Sequence, residues 1–220
     1  MFRLYWGRAS LNAPIRRAAF RTLVTSSFIM RDPPASASRH APTPLVFVST
    51  KKWDKDSEEG ITDLASMLTE KGFTTLVTDI SVSGEAQSPD MLNAYSRELR
   101  SSVKYAMTPF APVFVSRSIA CLVTQKYISS YPATGLVLIS PPTSNSSLGD
   151  DKLPTELEEF IYEPKFPIAI VDTPKRIEEL KAKNRLCREP SPYVDIIAAE
   201  KLEGQPLLNA VDKWLDELGI

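Results

Sequence analysis

A serine with a small residue two places to either side, Ser116-Arg117-Ser118-Ile119-Ala120, stands between the apolar run PVFVS (112–116) and SIACLVTQKYISSY (118–131), which has helical apolar spacing. A hydroxyl displayed on a strand-to-helix turn can act as the nucleophile of acyl transfer. It then needs a base to take its proton and a group to orient that base. The spacing has a steric reason: a serine held at strained φ/ψ draws the residues two before and two after it together, so both must be small. The plainer alternative is that Ser118 merely caps the helix that follows. The chain has one histidine, His40, far upstream in a Pro/Ser-rich stretch. Ser118 is thus a nucleophile by placement that lacks its ordinary base.

Other chemistries have less to stand on. Cys121 and Cys187 lie on two different predicted helices and form no CxxC pair, so they read as free thiols with no zinc site. Cys121 as nucleophile would sit one turn into a helix, in the core. No G-x-x-x-x-G-K-[ST] or G-x-G-x-x-G loop is present, and eight glycines in 220 residues leave little room for close backbone approach to phosphates. No cofactor is expected.

Charge divides the chain. Residues 1–40 hold seven arginines, no lysine and one acid, Asp32. Removing them from the 26 basic and 27 acidic residues leaves 19 and 26, a net of −7 over 41–220. An acidic body argues against nucleic acid as partner. The first thirty residues are cationic, contain Ser and Thr, and place Leu4, Leu11, Ile15 and Ala18 on one helical stripe. That is the composition of a mitochondrial transit peptide, removed somewhere between about residues 20 and 45. Arg16, Arg17 and Arg21 interrupt the apolar run a secretory signal would need, and no run reaches membrane-spanning length.

Residues 31–44 (RDPPASASRHAPTP) read as a linker, so 1–40 are expected to be an unstructured leader and linker and 41–220 a single domain. Beyond the linker, strand and helix patterns alternate. The strands are LVFVST (45–50), TTLVTDI (74–80), PVFVS (112–116), GLVLIS (135–140), FPIAIVD (166–172) and YVDIIA (193–198). Between and after them fall helical patterns at 57–73, 90–107, 118–131, 176–186 and 206–218. Strands apolar on both faces, alternating with helices apolar on one, predict a doubly wound, mostly parallel sheet covered on both sides. Residues 141–165 break the alternation and form a lid-like insertion at the C-terminal edge, where ligands bind in this architecture. Within it ELEEF (156–160) reads as a charged helix face.

In order and motif, residues from Pro44 onward resemble the α/β-hydrolase superfamily. LVFVSTKKW is similar to the first core strand and oxyanion loop, TTLVTDISVSGEAQS to the next strand and its Gly-containing loop, and PVFVSRSIACLV to the nucleophile elbow with Ser118 at its tip. GLVLISPP, FPIAIVDTPKR and PLLNAVDKWLDEL resemble the later strands and the closing helix. The resemblance implies Ser118 as nucleophile, an acid after the FPIAIVD strand and a histidine in the loop after the last strand. Here only Asp172 stands where the acid belongs, AAEKLEGQP (198–206) has no histidine, and STKKW (49–53) has no glycine.

Lys201 as a Ser–Lys base, with Lys51 or Lys52 as oxyanion partners, would be the rescue. Glu200 and Glu203 tend to keep Lys201 protonated. Three functions remain. The first is a catalytically inactive mitochondrial (matrix) protein that binds a small acyl-type ligand or a protein partner. The second is an active esterase or thioesterase built on Ser118. The third is a structural subunit of a mitochondrial assembly.

Overall fold

The computed structural model describes residues 23–106, 109–189 and 191–220, with backbone alone for 23–25. Among them seven strands form one sheet: β1 (Leu23–Arg31), β2 (Ala41–Ser49), β3 (Phe73–Ser83), β4 (Val113–Arg117), β5 (Gly135–Ile139), β6 (Ile168–Asp172) and β7 (Val194–Ala198). Their order is β1-β3-β2-β4-β5-β6-β7. From β3 to β7 all pairs are parallel; β1 runs antiparallel along the outer side of β3, from Leu23 opposite Ser83 to Arg31 opposite Thr75.

Alternation along the strands builds two cores. Leu45, Phe47, Val115, Val137 and Val171 face one side, beneath α1 (Ile61–Glu70) and α6 (Gly204–Glu217). Val46, Val48, Phe114, Leu138 and Ile170 face the other. There they meet α2 (Ser88–Tyr105), α3 (Ala120–Ile128), α4 (Pro174–Lys183) and the single turn α5 (Arg185–Arg188). At ten residues α1 is too short to persist alone. Ile61, Leu64, Ala65 and Leu68 are fully buried, and each of the larger three contributes about 1.5–3 kcal/mol, so packing rather than propensity holds it. Gly72 ends the helix with φ 106°, and a Cβ there would lie 2.0 Å from the Arg39 carbonyl oxygen. The doubly wound sheet expected from the strand and helix pattern is therefore present, with helices on both faces.

Two features differ from the sequence expectation. The sheet takes in Leu23–Arg31, which composition assigned to the leader; VTSSFIM within it is β-branched and aromatic, and its Ser26 hydroxyl donates to Glu98 of α2 at 2.7 Å. The Arg-rich residues 1–22 lie outside the described residues. In the insertion, residues 156–165 carry no regular secondary structure, with no helix at ELEEF. Pro154 and Pro164 bracket the stretch, and Asn145 holds it by donating from its side chain to the Glu158 carbonyl at 2.7 Å. No helix among the described residues is long and apolar enough to cross a membrane.

Candidate functional site

Parallel strands carry Ser49, Ser118, Ser140 and Asp172 to one edge of the sheet, the edge where this architecture places ligands. Ser118 follows β4 directly and has φ 53°, a left-handed conformation that a non-glycine residue adopts only when its surroundings impose it. Those surroundings are visible. The Ser118 N–H donates to the Ile139 carbonyl of β5 at 2.9 Å, and its own carbonyl accepts from Cys121 N at 3.1 Å. Ser116 and Ala120 are fully buried, and the Ser116 hydroxyl pairs with Thr124 at 2.8 Å. Ile119, not Ser118, occupies the N-cap of α3. The turn is an elbow, as the small-x-Ser-x-small spacing required.

Because Ala120 has no exposed surface, Ala120→Leu is expected to cost about 1–3 kcal/mol through overpacking. Chemical denaturation reads this; an unchanged midpoint would mean that the turn tolerates bulk and is no elbow.

What faces Ser118 was not legible in the sequence. The loop after β2 is wound tightly: Trp53 N and Asp54 N both donate to the Thr50 carbonyl at 2.8 Å, Thr50 N to Ser57 Oγ at 2.9 Å, and Ser57 Oγ to the Asp54 carbonyl at 2.6 Å. Asp79 at the end of β3 secures the loop's start, accepting from Lys51 N at 2.9 Å. This winding points Asp54 at the elbow. Ser118 Oγ donates to Asp54 Oδ2 at 2.7 Å, and Lys152 of the insertion donates to Asp54 Oδ1 at 3.0 Å. The Ile119 backbone N–H is the weakest of the groups that lower the Asp54 pKa. Burial pushes the Asp54 carboxyl upward, but the hydrogen bonds from Ser118 and Lys152 and the lysine's charge outweigh it and hold the group below its ordinary range.

The N–H of the residue after an elbow serine is where an acyl-transfer oxyanion would be held. Here a carboxylate of the protein itself, bonded to Ser118 Oγ, stands beside that donor. A second negative charge developing about 4 Å away would be repelled by about 4 kcal/mol at an effective dielectric of 20, close to a thousandfold in rate. Asp54 is also a poor base, since a lowered pKa moves it away from the operating pH.

The residues expected to assist do not converge on Ser118. His40 precedes β2 at the opposite edge, about 30 Å away along nine strand residues. Lys201 is exposed. Lys51 pairs with Glu58 at 2.6 Å, and Lys52 faces the end of β3 and Trp53. The loop implied to carry a base is fastened by Arg117, which donates to the Leu202 carbonyl at 2.8 Å and to Glu59 Oε2 at 2.9 Å. Cys121 is wholly buried, and burial pushes its thiol up to about 12, so it is no thiolate.

Asp172 is fully buried at the end of β6; Oδ1 accepts from Thr173 N at 2.7 Å, while Oδ2 has no hydrogen bond and lies 3.7 Å from Arg176 Nε. No hydrogen bond links it to Ser118. Burial raises its pKa above the ordinary 3.8 despite the Thr173 N–H and the Arg176 charge. A raised carboxyl binds more protons folded than unfolded, so its contribution to stability is present below about pH 3.8 and lost as pH rises through the raised value. Melting temperatures of Asp172→Asn and wild type are therefore expected to move in the variant's favour between pH 4 and pH 7. A constant or reversed difference would contradict the assignment.

Comparison with solved structures gives the class. An esterase from Thermogutta terrifontis, solved with propionate bound, superposes with a TM-score of 0.63 at 13% identity, covering 88% of this chain and 90% of that one. A lidless α/β serine hydrolase from Xanthomonas campestris gives 0.60 at 11% identity, covering 88% and 89%. An α/β serine hydrolase homologue from Coxiella burnetii gives 0.57 at 11%, covering 90% and 97%. The fold is the α/β-hydrolase fold. At the level of sequence, no protein-family model and no curated protein matches the chain.

Proposed function

We propose that the protein is a non-hydrolytic α/β-hydrolase-fold protein of the mitochondrion that works by binding. The observation that carries this is the Asp54 carboxylate held on Ser118 Oγ beside the Ile119 N–H, with Lys152 as its counter-ion. The position that should attract developing negative charge is occupied by a negative charge, and the only histidine lies at the other edge of the sheet. Localisation rests on the arginine-rich, nearly acid-free composition of residues 1–40.

The ligand place is the pocket beside the Asp54 loop, about 450 Å³, walled by Trp53, Val82, Met91 and Tyr95 with Lys52 at its rim. Trp53 and Tyr95 stack at 5.0 Å, and Trp53 Nε1 donates to the Lys152 carbonyl at 2.7 Å. An apolar wall with one cation suits a small acyl acid, and the volume falls within the ordinary range for ligand sites. Titration with octanoate, followed by tryptophan fluorescence, is expected to saturate in wild type and in Trp214→Phe but not in Met91→Glu. A linear response in all three proteins would remove the pocket from the account. A second reading, an active esterase or thioesterase, is favoured by one observation: the strained elbow at Ser118 is kept.

A further inference from the structure

A second depression lies away from Ser118, where the irregular insertion crosses α2 and α3. It holds about 620 Å³; Pro89, Leu92, Leu157 and Phe160 give it an apolar floor. Its rim is acidic. Glu156 and Glu158 line it, both exposed and neither with a hydrogen-bond or ion-pair partner for its carboxylate among the described residues. Ile161 stands at its mouth with 94% of its surface exposed, an unusual position for an isoleucine. Residues 141–165 as a whole carry six acids against two lysines. An apolar floor under a rim with more acids than bases selects a basic segment with apolar anchors.

The chain contains one such segment. Residues 1–22 have five arginines (Arg3, Arg8, Arg16, Arg17, Arg21), no lysine and no acid, interspersed with Leu4, Leu11 and Ile15. They enter the fold at Leu23, which pairs with Ser83 at the C-terminal end of β3. Five residues after Ser83, Ser88 opens α2, and Ser88 is bonded to Thr155 of the insertion by its hydroxyl at 2.6 Å. Pro89 and Leu92 of the same helix are the groove's floor. The segment thus starts at the edge of the sheet where the groove opens, and 22 residues reach up to about 70 Å extended.

We propose that the arginine-rich segment 1–22 of this chain is the occupant of the groove, its arginines meeting Glu156 and Glu158 and its apolar residues the floor. The inference stands on charge and chain position and is independent of what binds at the Trp53 pocket. Its consequence is a leader whose cationic face is presented only until the domain that follows it has folded.

Limited trypsinolysis of the full chain at low salt tests this, since trypsin cuts after arginine. Cleavage at Arg8, Arg16 and Arg17 is expected to be at least tenfold faster in Glu156→Lys/Glu158→Lys than in wild type. It should be equally fast in wild type at 1 M salt, where charge attraction is screened to about 3 Å. Glu178→Lys/Glu217→Lys, charge changes on α4 and α6, should cleave as wild type does. Equal rates in all variants would overturn the proposal, as would protection that rises with protein concentration, which would place a second copy's segment in the groove. Circular dichroism of the doubly reversed variant, with β and α content kept, separates loss of docking from loss of fold.

Discussion

Turnover of p-nitrophenyl esters and acyl-CoA thioesters by the purified chain is expected to stay at the uncatalysed rate, with Ser118→Ala indistinguishable from wild type. Two effects multiply. Loss of a triad's base costs roughly four to six orders of magnitude in hydrolases of this chemistry. The Asp54 carboxylate beside the Ile119 N–H removes about three more by repelling the charge that N–H should receive. The product, about seven to nine orders of magnitude, equals the whole rate enhancement of enzymes at the lower end of the usual range. Asp54→Ala isolates the second effect. It clears the oxyanion position but supplies no base, so turnover should remain at background while Lys152 loses its partner. If Asp54→Ala instead gained ester hydrolysis that Ser118→Ala abolished, a base would be present after all.

The second large effect concerns where the domain begins. A chain starting at Leu23 should fold and melt cooperatively, and a chain starting at Asp32 should not fold. β1 pairs with β3 over nine residues. At about 0.5–1.5 kcal/mol net per hydrogen bond, roughly one for each paired residue, its loss removes about 5–14 kcal/mol, which is most of a domain's stability. It would also strip the cover from the β3 edge, leaving unpaired backbone groups open to aggregation. A leader removed on import is therefore expected to be cut at or before Leu23, the early end of the interval that composition allows. N-terminal sequencing of the mature protein checks this. A mature chain beginning beyond Arg31 that still melts cooperatively would refute the role given to β1.

The contrast between the two ends of the domain shows what a sequence can and cannot carry. LVFVST, GLVLIS and FPIAIVD announce buried strands because every residue on either face must be apolar, and the structure buries β5 and β6 completely. The elbow was legible for a similar reason: its steric demand falls on Ser116 and Ala120, five residues of contiguous chain. β1 was hidden because arginines dominate the composition around it, although FIM at 28–30 has strand character. Asp54 and Lys152 were not legible. Asp54 is one of four acids within six residues (Asp54, Asp56, Glu58, Glu59), and Lys152 follows Asp150 and Asp151; nothing local distinguishes either residue. Their meaning comes from contacts across 64 and 98 residues. A folded edge brings these together, and no period or spacing encodes them.

Asp54 and Ser118 form one unit in which the hydroxyl donates to a fixed carboxylate, and the proposed function requires that it not act as a nucleophile. Labelling of the full chain with a fluorophosphonate probe tests this most directly, because such probes bond only to a serine whose proton can be taken. With Ser118→Ala and a denatured sample run in parallel, the labelling of native protein should match the alanine variant at every probe concentration. A stoichiometric adduct on Ser118 in the native chain, absent from both controls, would show a working nucleophile and contradict the account.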